Sequence, residues 1–86
     1  MELNPWMESV SGVEPPRKAS RAALRSVAAL LGEKPRTVYA WYRRDRIPSF
    51  NAAMNITIKS KGVVDWNGIY VPFARSAIEV GGRNVA

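Results

Sequence analysis

Residues 24–44, LRSVAALLGEKPRTVYAWYRR, leave this chain few folds to choose from. Leu24, Val27, Ala28 and Leu31 recur at helical spacing and place one apolar stripe on one face. Gly32 follows at once, where a helix C-terminus favours a residue that accepts a left-handed backbone at little cost. Pro35 then stands where a new helix can begin, because its missing N–H would find no partner there anyway. Beyond it, Val38, Trp41 and Tyr42 form a second apolar stripe, with Arg36, Tyr39, Arg43 and Arg44 mostly off it. Two short helices, a tight glycine-containing turn and a basic second helix make a helix-turn-helix candidate.

Charge is concentrated around that stretch. The 86 residues carry a formal net charge of +6. Residues 17–61 contain eleven Lys and Arg against Glu33 and Asp45 alone, a local charge of +9. The flanks come to −3. A basic centre between mildly acidic ends suits a surface that meets a polyanion. Cysteine and histidine are both absent, which removes disulfides, the usual zinc ligands and the common nucleophile–base pairs. The carboxylates are scattered, so no acid–base pair is expected, and the chain reads as a non-enzyme without metal or cofactor. The longest apolar run, residues 27–31, is far too short to span a bilayer. No basic segment precedes an apolar one at the N-terminus, so no secretory signal is expected and the cytoplasm is the expected location.

The set Ala28, Gly32, Val38 and Trp41 resembles the helix-turn-helix of the Cro/phage-repressor class of transcriptional regulators. The resemblance runs on through Arg46, Ile47 and Pro48 and covers roughly residues 20–70. It implies that the small residue lets two helices cross closely, that the glycine makes the turn, and that Val38 and Trp41 lock the second helix onto the domain. One position departs from the family pattern: the residue after the turn glycine is usually apolar, and here it is Glu33.

Taken in order, the chain predicts an all-α, four- to five-helix bundle, with residues 1–70 as the DNA-binding domain. Residues 71–86 form a C-terminal extension for which a short strand stays open. Asn4 and Pro5 suit the start of a first helix with Leu3, Trp6, Met7 and Val10 on one face. Residues 17–31 read as one alanine-rich helix, and residues 35–44 as the next. Ser49 is a suitable N-cap for a helix to about residue 60, with Phe50, Ala53, Met54, Thr57 and Ile58 as the lid of the core. Residues 55–59 also admit a strand, because they alternate and are β-branched. Val71, Phe73, Ile78 and Val80 have no obvious partner within so small a domain. They point to a homodimer interface within residues 66–80, followed by a flexible tail over residues 81–86.

If the second helix enters a major groove, its start and outer face reach base edges. Those residues are Lys34, Arg36, Thr37, Tyr39, Ala40 and Arg43. Arg36 and Arg43 can each offer a bidentate fork to guanine, and Ala40 a contact to a thymine methyl. Thr37 has the alternative of capping its own helix. Arg17, Lys18, Arg21, Arg25, Arg44 and Arg46 are the candidate phosphate contacts. The expected function is a sequence-specific regulator of double-stranded DNA, a Cro-like repressor that binds a roughly palindromic operator as a homodimer. Contact with RNA polymerase, hence activation, stays open. The alternative is a helical protein–protein adaptor or antitoxin-like module that uses Trp41, Tyr42 and the C-terminal apolar residues on a partner.

Overall fold

The computed structural model describes the backbone of residues 1–85 and the side chains through Ile78. It holds five helices: α1 (Leu3–Val10), α2 (Arg25–Leu31), α3 (Pro35–Tyr42), α4 (Phe50–Lys59) and α5 (Trp66–Val85). Among the described residues there is no strand, so residues 55–59 are helical and the C-terminal extension is a helix.

The two apolar stripes of residues 24–44 meet in the core as expected. Leu24, Val27, Ala28 and Leu31 are buried against Val38 and Trp41, with Leu3, Trp6 and Met7 of α1 packed into the same cluster. The turn between α2 and α3 is closed by backbone chemistry. Gly32 takes φ 68°, and the Glu33 N–H donates to the Ala28 carbonyl at 2.9 Å. Glu33 therefore completes the turn through its main chain, whatever its side chain.

The same six-residue closure ends α1, α3 and α4. Val13 N–H reaches Glu8 O, Asp45 N–H reaches Ala40 O and Gly62 N–H reaches Thr57 O, each at 2.9 Å. After α3 and α4, however, the left-handed position belongs to Arg44 (φ 63°) and Lys61 (φ 55°). A side chain there crowds the following carbonyl, a strain that glycine avoids. Arg44→Gly is therefore expected to stabilise the fold by about 0.5–1 kcal/mol, several degrees in Tm by thermal melting. A lower Tm would mean that the Arg44 side chain, whose Nη1 donates to Ser76 Oγ at 3.3 Å, holds α5 in place.

Four expectations need correction. Only Arg25–Leu31 of the alanine-rich stretch is α-helical; residues 21–24 form a turn, started by Ser20 Oγ, which accepts the Ala23 N–H at 3.0 Å. Further back the chain is irregular, because the Ala19 N–H is taken by the Tyr42 hydroxyl at 2.9 Å and not by a helical carbonyl. Asn4 does not cap α1. The helix starts after Glu2, and Asn4 Nδ2 donates to the Tyr42 carbonyl at 2.9 Å, across the end of α3.

The third correction concerns α4. Ser49 Oγ does cap it, accepting the Ala52 N–H at 3.2 Å. Its inner face is Ala52, Ala53 and Ile56, however, while Phe50, Met54 and Ile58 face outward. The two alanines let α4 lie close to its neighbours, and a face led by Phe50 would hold it away. Last, Val64, Ile69 and Phe73 are buried and occupy the core in place of Phe50 and Met54. They belong to α5 and the turn before it, where Asp65 Oδ1 accepts the Gly68 N–H at 2.8 Å and caps the helix. Gly68 has no side chain where the Met1 carbonyl passes. The helix runs to Val85, across most of the expected tail; Ala86 and the Val80 side chain lie outside the described residues.

Candidate nucleic-acid interface

α3 presents two groups of side chains away from the core. Lys34, Arg36, Thr37 and Ala40 line one shallow hollow, and Arg46 returns from the following turn to close it. Thr37 and Arg46 also border a neighbouring hollow with Ile47 and Ser49. Lys34 precedes the helix in extended backbone, and Pro35 occupies its first turn. Lys34, Arg36 and Arg46 are exposed, Thr37 and Ala40 half-buried. The α3 start has no side-chain cap, so its free N–H groups add to the positive character of this end.

The second group is built around Tyr39. Its ring is half-buried against the core, with the Arg21 guanidinium 5.6 Å and the Arg43 guanidinium 5.8 Å from its centroid. Arg21 comes from the turn before α2 and Arg43 from the end of α3, so one aromatic ring gathers two cations that the sequence places twenty-two residues apart. Each such contact contributes about 0.5–1 kcal/mol at an exposed site and limits where the guanidinium can point. Arg43 Nε also lies 3.7 Å from Asp45 Oδ2, an exposed pair worth little in water.

The remaining basic residues spread more widely. Arg17 and Lys18 border a hollow under the irregular segment with Glu14, Pro15 and Pro16. Lys18 also borders a second hollow with Arg43, Arg44, Glu2 and Glu8. Arg44 thus turns toward α1 and α5, away from the Arg36–Arg46 group. Arg25 opens α2 and is exposed. Thr37 makes no cap; of the residues expected to serve an adaptor, Trp41 and Tyr42 are buried, while Val71 and Ile78 are exposed.

Sequence reasoning missed the part played by Tyr42. Its hydroxyl donates to Glu8 Oε2 at 2.6 Å and accepts from Ala19 N–H, while its own carbonyl accepts from Asn4. One phenol thereby ties α1, the irregular segment and the end of α3 together. Burial first, and the hydrogen bond to Glu8 second, push its pKa above the usual tyrosine value. The segment carrying Arg17, Lys18 and Arg21 is held beside α3 by this contact.

Among the described residues no cluster of three or more His, Cys, Asp or Glu gathers as a metal site. Nor is any helix among them long and apolar enough to cross a membrane. Comparison with protein-family models, with curated proteins and with solved structures finds no match.

Proposed function

We propose that the protein is a sequence-specific, double-stranded DNA-binding regulator of the Cro type, a repressor that acts from the cytoplasm by occluding a promoter. The observation that carries this reading is the exposed face of α3, where Lys34, Arg36, Thr37, Ala40 and Arg46 surround one hollow. Beside it the Arg21–Tyr39–Arg43 stack supplies two further cations. An eight-residue helix that starts with a proline and ends in a tight turn is short enough to enter a major groove. Arg36 and Arg43 would read guanine, Ala40 a thymine methyl, and the cations before α2 would hold the flanking phosphates. One such helix reads few base pairs, so two copies on a near-palindromic site are expected, with half-sites about 34–36 Å apart.

Fluorescence anisotropy with random-sequence duplex at two salt concentrations tests the general claim. A regulator binds with a steep salt dependence, because each neutralised phosphate releases counterions; an adaptor hardly binds. Selection from a random duplex library then supplies the operator. On that operator Arg36→Ala and Arg43→Ala are each expected to cost about 1–3 kcal/mol and to relax preference at one base pair. On random duplex they should cost much less. Equal losses on both would make them phosphate contacts and move base reading elsewhere on α3.

A further inference from the structure

We propose that Ile47, which stands outside α3, contacts a thymine methyl at the border of the base pairs that α3 meets, an assignment that rests on the DNA-binding reading above. Ile47 is 61% exposed and borders a hollow with Thr37, Trp41, Arg46 and Ser49. Thr37 and Arg46 also line the hollow at the start of α3, so the two hollows form one continuous surface. No carboxylate is among the residues lining either hollow, and Lys34, Arg36 and Arg46 supply cations. A duplex can therefore come up to Ile47 without a repulsive contact from these residues. Val71, another exposed apolar residue, shares its hollow with Glu2 and Asp65, which a polyanion avoids.

A single exposed apolar residue is ordinary; what distinguishes Ile47 is how firmly it is held. On one side the Arg46 N–H donates to the Ala40 carbonyl of α3 at 3.4 Å. On the other, Pro48 is buried, and its carbonyl accepts from the Tyr70 hydroxyl at 3.1 Å. Pro48 also confines the Ile47 backbone to extended conformations. The side chain itself is β-branched and stiff about its first torsion. Its methyl groups are thus presented at a fixed place, and little freedom is left to lose on contact. Among the base edges of the major groove, the thymine C5-methyl is the apolar group. The Ile47 side chain has no polar atom, so that methyl is the base-edge group it can favour. Burying one methyl changes affinity about three- to fivefold.

Replacing the thymines of the selected operator one at a time by deoxyuridine, which lacks only the methyl, tests this contact. Affinity is measured by fluorescence anisotropy for wild type and for Ile47→Ala. Wild type is expected to lose about three- to fivefold at one thymine of each half-site, at the border of the base pairs read by α3. Ile47→Ala is expected to bind the unmodified operator more weakly and to show no further loss at that thymine. Losses at thymines met by other side chains, Ala40 included, should persist in the variant. Each loss is a ratio within one protein, so a change in stability does not enter it. A variant in which every deoxyuridine loss persists overturns the assignment, as does a wild type that loses nothing at any thymine. Either result leaves the DNA-binding reading standing, because an operator was selected. If no operator can be selected, that reading falls and the Ile47 contact falls with it.

Discussion

Trp41→Ala is expected to remove about 3–5 kcal/mol of stability, out of the 5–10 kcal/mol typical of a domain this size. Trp41 is 3% exposed and sits in the core with Val38, Leu31 and the α1 residues. Truncation leaves a void where one of the two tryptophans of the core had been, and helices held by short turns can close over it only in part. The loss leaves about 0–7 kcal/mol, so unfolding should move to much lower temperature and denaturant concentration, and any DNA binding at 37 °C should fall with the folded fraction. Circular dichroism during urea titration measures the loss directly. Arg36→Ala, on the same helix but exposed, is the control, with a stability change within about 0.5 kcal/mol. An unchanged unfolding midpoint for Trp41→Ala would mean that its indole is a contact surface and not a packing element.

Tyr42→Phe is the next largest effect, about 2–3 kcal/mol at neutral pH. The substitution keeps the ring but leaves the Ala19 N–H buried without an acceptor, and it takes the donor from Glu8. Two groups losing one partner put the cost at the upper end of the range for an unsatisfied buried polar atom. Wild type carries a second signature at high pH. The folded state holds the phenolic proton more tightly than the unfolded chain, whose tyrosines titrate near pH 10. The stability that this proton supplies is complete below pH 10 and falls as the pH rises through and above that value. The phenylalanine variant should lack that part of the alkaline decline. Equal midpoints for the two proteins at neutral pH would show that Ala19 and Glu8 find water as readily as Tyr42.

What could be read from the residues alone follows the range of the interactions involved. Gly32 and Pro35 set the turn through their own backbone preferences, and the burial of Val38 and Trp41 follows from their spacing on α3. The orientation of α4 was not legible. Phe50, Ala52, Ala53, Met54, Ile56 and Ile58 are all apolar, so two faces of the helix fit the pattern. Which face turns inward is decided by the room beside α2 and α5, and room favours alanine. Pro72 and Gly68 are poor helix residues, yet buried Ile69 and Phe73 hold the final helix together. The shortness of α2 was only partly legible in residues 17–24: Ser20, which starts the turn, is among them, but the Tyr42 hydroxyl that takes the Ala19 N–H is not. Within the candidate interface, the residue types and their exposure were readable. The stacking of Arg21 and Arg43 on one tyrosine was not, because it joins segments through the tertiary fold.

The irregular segment between α1 and α2 is fastened at Ala19, while Glu14, Pro15, Pro16, Arg17 and Lys18 stand in solvent. Mutations at exposed Glu14, Arg17 and Lys18 leave the bundle nearly untouched, within about 0.5 kcal/mol. They change only how much positive charge stands beside α3. On the proposed DNA-binding reading, the chain would therefore have an adjustable grip that is mechanically separate from α3. On that reading a lineage carrying this fold would strengthen or loosen its hold on a duplex one lysine at a time, without altering which sequence it prefers and without endangering the core.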